Sequence, residues 1–169
     1  DLAKFVREGS LRGLFDDREV VSLLTGEPEY LLPLADEAPE GWIVTGYPFD
    51  QIDTPEHTAF ADAYEAAVGD APKLGSVVGY VTMKSIAAAL NAAGTPEPQA
   101  LAAAFGDLAL DTPFGPIVYR GLDHQSTLGA YVGRTGMIDG QPAMVDWRYA
   151  DGADYLPGGD EAAVKRPAN

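Results

Sequence analysis

Pro39-Glu40-Gly41-Trp42-Ile43-Val44-Thr45-Gly46-Tyr47-Pro48, then Gly79-Tyr80 opening an alanine-rich stretch that ends at Gly94, then Thr112-Pro113-Phe114-Gly115-Pro116, follow one another in that order along the chain. The first is a run of large apolar and β-branched residues entering a Gly-Tyr-Pro turn, the pattern of a strand and its exit. The second has the composition of a closely packed helix with Gly94 as its C-cap. The third is a turn leading into a further strand. Strand, helix and strand in succession predict an α/β protein.

Working outward, Leu2, Phe5, Val6 and Leu11 recur at helical spacing between a capping Asp1 and a stop at Gly13, predicting a helix to about Leu14. Glu19 to Leu24 predicts a short strand, Thr25-Gly26-Glu27-Pro28 a turn, and Glu29 to Leu34 a short helix. Thr54 followed by Pro55 starts a helix that runs through Phe60, Ala63, Tyr64 and Ala67 to Gly69. Ser76 to Ala93 predicts the alanine-rich helix, and Thr95-Pro96 starts another that reaches about Phe105. Beyond Pro113 the pattern alternates, with strands expected near Pro116 to Arg120, Thr127 to Arg134 and Ala143 to Tyr149. Asp139-Gly140 is the hairpin signal between the last two. From Ala150 to Lys165-Arg166-Pro167 no periodicity is visible, so an irregular surface terminus is expected. No internal repeat or long low-complexity linker is apparent.

The 169 residues are 46% hydrophobic and 22% charged, enough for one ordinary domain. With 11 basic and 26 acidic residues the net charge is −15, which repels nucleic-acid backbones and anionic membrane surfaces. The absence of cysteine removes disulfides, thiolate nucleophiles and Cys-based zinc sites. No apolar run approaches the roughly 18 residues of a membrane span, and a secretion signal would lie upstream of Asp1.

Asp123-His124-Gln125-Ser126 contains the residue types of a nucleophilic triad, but neighbours in an extended segment point to alternating faces, so a structural turn is expected. His57 beside Glu56 is half of a metal site at most, and the only other histidine is His124. A solvated helix-start histidine is the expectation there, with no metal. Asp36-Glu37-Ala38-Pro39-Glu40 reads as a charged loop, and the glycines form no phosphate-binding fingerprint.

The ordered trio around Trp42, Tyr80 and Thr112 resembles the C-terminal portion of a periplasmic solute-binding protein of the branched-chain amino acid type, the two-lobed receptor of an ABC importer. The resemblance runs from Asp1 to about Trp147. It implies three-layer αβα lobes of the type I periplasmic-binding fold with a β-rich C-terminal section. Residues 1–41 would belong to the second lobe and 42–128 to the first, with 129–169 returning to the second lobe and ending in a tail. It further implies that an N-terminal part of the same protein is missing here, that the location is periplasmic or otherwise extracytoplasmic, and that the partners are a small solute and a membrane permease. No catalysis and no cofactor are implied. Tyr80, near a helix N-terminus, matches a pocket aromatic of the family, with a buried core tyrosine as the alternative. Tyr47 stands where the chain crosses between lobes, as ligand contact or hinge packing. Thr25, Gly26 and Glu27 form the remaining candidate: a carboxylate from this loop meets the ligand's ammonium in the family, and either Glu27 or Glu29 matches it unless the loop is merely solvated. Branched-chain amino acids, amides and aromatic or aliphatic carboxylates are the solutes implied. A ligand-sensing domain of the same fold is the alternative role, and a small acidic hydrolase using Asp123 and His124 a second.

Overall fold

The computed structural model describes residues 2–165, so the Asp1 cap and the Arg166-Pro167 end of the tail lie outside the described residues. In chain order the elements are α1 (Leu2–Leu11), β1 (Val21–Gly26), α2 (Pro28–Leu31), a 3-10 segment (Leu32–Glu37), β2 (Ile43–Gly46), α3 (Pro55–Val68), α4 (Leu74–Ala93), α5 (Pro98–Phe105), β3 (Ala109–Thr112), β4 (Gly115–Val118), β5 (Ala130–Ile138), β6 (Gln141–Ala150), a 3-10 turn (Gly152–Asp154) and α6 (Gly159–Lys165). They fall into two compact units. One gathers the chain up to Ile52 with Ala71–Leu74 and Ala130–Ala150, and the other holds Asp53–Asp70, Gly75–Gly129 and the chain from Asp151.

The first unit is built on a four-stranded sheet in the order β1-β2-β5-β6. β1 and β2 run parallel, joined through α2 and the 3-10 segment, while β2–β5 and β5–β6 are antiparallel. Asp139 and Gly140 turn between β5 and β6 with φ of 50° and 76°, the positive pair that a two-residue hairpin of this twist requires. Val6, Leu31, Leu34, Trp42, Val44, Tyr47, Tyr131 and Met144 form the core. Phe15 stands between α1 and the sheet, edge-on to Phe5 at 5.5 Å and to Trp42 at 4.7 Å. Among the described residues β1 is an edge strand, and its Val21, Leu23 and Leu24 are half or more exposed.

In the second unit, α3 starts where the sequence places it. The Thr54 hydroxyl accepts the His57 N–H at 3.3 Å, Pro55 takes the first helical position, and Gly69 closes the helix in the left-handed region. α4 buries Val77, Val81, Ser85 and Ala89, a stripe at four-residue spacing that stacks on one helix face. Ser85 donates to Val81 O at 2.7 Å and accepts from the Tyr119 hydroxyl at 3.0 Å, satisfying a buried polar group twice. β3 and β4 make a small hairpin whose turn is tied by Thr112, which donates to Gly115 O and accepts from Phe114 N–H.

Several expectations need correction. β3 precedes Pro113, in a stretch with no strand signal, because its four residues are too few for alternation to register. α4 begins at Leu74. β5 begins only at Ala130; ahead of it the Thr127 hydroxyl accepts the Val118 N–H and Ser126 bridges Tyr119. The segment after Ala150 is not irregular throughout, since α6 forms there with Asp160 and Glu161 in its first turn and Lys165 in its last, favourable at both ends of the helix dipole. His57 is buried, not solvated: three residues from Phe60 it shares that residue's inward face, and only 2% of it is exposed.

Candidate functional site

In the first unit the parallel strands β1 and β2 end in one pattern used twice, Thr25-Gly26-Glu27-Pro28 and Thr45-Gly46-Tyr47-Pro48. Register sets Gly26 opposite Gly46, and the Tyr47 N–H donates to Gly26 O at 3.3 Å. The approach tolerates no side chain. A Cβ on Gly46 would lie 2.1 Å from Gly26 O, and one on Gly26 would lie 2.6 Å from Thr45 O. Two glycines therefore bring Glu27 and Tyr47 side by side at the carboxyl ends of parallel strands, where open α/β sheets hold their ligands.

Both side chains are taken out of water. Tyr47 is 1% exposed and Glu27 7% exposed. Burial raises the Glu27 carboxyl above its ordinary value, and the neighbouring Glu29 carboxyl raises it further. Glu29 Oε2 is itself buried with no hydrogen-bond partner. Burial likewise raises the Tyr47 hydroxyl, with Tyr131 adding to the effect, and Tyr131 is pushed up to about 12. Thr25 is fully buried, its hydroxyl 2.6 Å from that of Ser22. Beside these strand ends lies a pocket of about 340 Å³, walled by Gly26, Pro28, Tyr47, Phe49 and Met144.

Tyr80 belongs to the second unit, on α4, and is 44% exposed. Its ring lies 4.9 Å from that of Phe60 on α3, which in turn lies 5.9 Å from Tyr64. These rings line a groove of about 410 Å³ together with Glu56, Lys84 and Pro113. Lys84 Nζ stands 5.9 Å from the Tyr80 ring centroid and donates to Asp111 O at 2.8 Å.

Thr25, Gly26, Glu27 and Tyr47 are thus assembled within one unit, and Tyr80 in the other has companions that the sequence reading did not single out. Phe60 with Tyr64 and Tyr80 with Lys84 are each four apart on their helices, a spacing from which the sequence reading drew no site. The doubled Thr-Gly-X-Pro was also legible but short. Asp123 pairs with Arg120 and accepts the Gln125 N–H at 3.1 Å, while His124 is exposed in the left-handed region at φ 56°. Among the described residues no group of three or more metal-ligating side chains occurs.

A family model for periplasmic binding proteins matches residues 1–141, and the chain belongs to that family. No match was found among curated proteins. Of the solved structures it is similar to, an amino acid ABC transporter substrate-binding protein from Pseudomonas fluorescens Pf-5 has 18% identity and a TM-score of 0.77, over 95% of this chain and 43% of that one. A leucine-, isoleucine-, valine-, threonine- and alanine-binding protein from Brucella ovis has 21% identity and a TM-score of 0.75, over 94% and 42%. A solute-binding protein of an ABC transporter from Rhodopseudomonas palustris BisB5, in complex with 3,4-dihydroxybenzoic acid, has 21% identity and a TM-score of 0.72, over 89% and 42%. The likeness establishes the type I periplasmic-binding fold, and this chain spans less than half the length of these structures.

Proposed function

We propose that this chain forms part of both lobes of an extracytoplasmic receptor that captures a small polar solute for an ABC importer, without chemical turnover. The first unit is then part of the second lobe and the second unit part of the first. The remaining sheet of the first lobe is supplied by an N-terminal part of the same protein, and the closed receptor is presented to a membrane permease. The observation that supports this reading is the pair of Thr-Gly-X-Pro strand ends: Glu27 and Tyr47 each follow the last residue of adjacent parallel strands, the end at which open α/β sheets generally take ligands. Thr25 and Gly26 shape that loop, and Tyr80 supplies an exposed aromatic face.

Affinity in such a receptor comes from closing two hinged bodies over the solute, with aromatic contact and a few hydrogen bonds fixing orientation. The solute is an amino acid, an amide or an aromatic or aliphatic carboxylate, in keeping with the amino acid and dihydroxybenzoate binders of the same fold. A thermal-shift screen of the complete protein against these three classes tests the proposal. A solute at 100 times its dissociation constant is expected to add about 2.7 kcal/mol of stability. Tyr80→Ala is expected to reduce that shift. Turnover of a bound solute that His124→Ala abolishes would sink the receptor reading in favour of a hydrolase.

A further inference from the structure

Past Gly46 the chain leaves the sheet in two successive tight turns, in which the Phe49 N–H donates to Tyr47 O at 2.9 Å and the Gln51 N–H to Pro48 O at 3.0 Å. Both bonds lie inside the segment, and the bond from the Tyr47 N–H to Gly26 O ties down only its start. The Gln51 side chain ties down its far end. Its Nε2 donates to Met144 O at 3.0 Å and its Oε1 accepts the Trp147 indole N–H at 2.8 Å, two anchors on β6 that lie 93 and 96 residues along the chain. A carboxamide carries its donors and its acceptor on separate atoms, and here both atoms are used. Trp147 is held in turn against Tyr131, edge-on with ring centroids 5.3 Å apart, and Tyr131 stands opposite Gly46 in the register of β2 and β5. The contacts thus run from Tyr47 along its segment to Gln51, across to Trp147, and back through Tyr131 to the residue before Tyr47.

The segment held in this way walls the pocket of about 340 Å³ with Tyr47, Phe49 and Gln51, while Met144 walls it from β6. Gln51 therefore joins two walls of one pocket and sets the spacing between them. Few side chains could replace it. Glutamate would turn an acceptor toward Met144 O, leucine would make neither bond, and asparagine is one methylene too short to keep both. We propose that Gln51 is the positioning residue of the Tyr47 segment, clamping it to β6 through Met144 O and the Trp147 indole. The consequence for binding rests on the reading of Tyr47 as a solute contact, whereas the clamp itself is built within the first unit.

Hydrogen exchange of the complete protein, followed by NMR without any solute, tests the clamp. In Gln51→Leu the Phe49 and Gln51-position amides are expected to exchange at least about tenfold faster than in the parent, while the β5 and β6 amides stay within about twofold. Gln51→Glu, which can still accept from Trp147 but cannot donate to Met144 O, is expected to fall between the two, as is Trp147→Phe. The Trp147 indole N–H, identified by its loss in Trp147→Phe, is expected to lose protection from solvent in Gln51→Leu and to keep it in Gln51→Glu. Unchanged exchange of the segment in Gln51→Leu overturns the proposal, and so does an acceleration spread evenly over β5 and β6, which would make Gln51 a contributor to general stability only. Because no solute is present, such a failure leaves the receptor reading to the thermal-shift screen. In that screen, Gln51→Leu is expected to need at least about tenfold more leucine or 4-hydroxybenzoate for the shift that either gives the parent. Faster exchange of the segment with an unchanged solute requirement upholds the clamp and removes Tyr47 from the solute contacts.

Discussion

Glu27 sits in surroundings that favour its protonated form, through burial and through the neighbouring charge of Glu29. Its folded-state value therefore lies above its unfolded one. Between the two values the folded chain holds more protons than the unfolded chain, so stability falls as pH rises through that interval and is retained below it. Glu27→Gln, which keeps the shape and removes the charge, is expected to be more stable than the parent at neutral pH. The gap should close as pH is lowered into the ordinary glutamate range. Urea unfolding between about pH 4 and 8 measures it, and a gap independent of pH would mean that Glu27 is ionised without penalty. The sequence marked Glu27 by its loop, between a strand and a proline. That its loop lies alongside the one holding Tyr47 could not be read there, because this depends on the register of β1 against β2.

β1 and β2 carry their most demanding contact at their last residues, where backbone meets backbone at Gly26 and Gly46. Gly46→Ala is expected to cost about 1–3 kcal/mol, the range for forcing an added methyl into a filled site, because the atom it would strike is a strand carbonyl that cannot rotate away. Chemical denaturation of the two proteins measures the loss; an unchanged midpoint would show that the strands can separate at this end without penalty. Legibility differed from element to element for reasons of the same kind. α3 was readable from Thr54 to Gly69 since its start and stop are made by local capping chemistry. The Asp139-Gly140 hairpin was readable because both turn residues need positive φ. β3 was not, being held by its pairing with β4 and not by its own composition.

For the molecule as a whole, the open β1 edge is the feature with the largest consequence in solution. Val21, Leu23 and Leu24 present apolar side chains on a strand that, among the described residues, pairs only with β2, a template for pairing with another chain. Leu23 is 69% exposed, so Leu23→Lys is expected to leave the melting temperature within about 0.5 kcal/mol equivalent of the parent while raising the concentration at which the isolated chain stays monomeric. Light scattering across a concentration series checks this, and equal self-association of the two proteins would remove the edge as its cause. By itself the sequence determined the α/β class, the acidic surface, most helix ends and turns, and the order of segments that marks the family, since caps, turn residues and periodicity act over a few residues. Only the tertiary structure decided that His57 is buried, that two Thr-Gly-X-Pro segments lie side by side, and that Tyr80 shares a groove with Phe60, Tyr64 and Lys84. Those outcomes depend on strand register and on which helix faces meet, which join residues far apart in the chain and leave no mark in any short stretch of it.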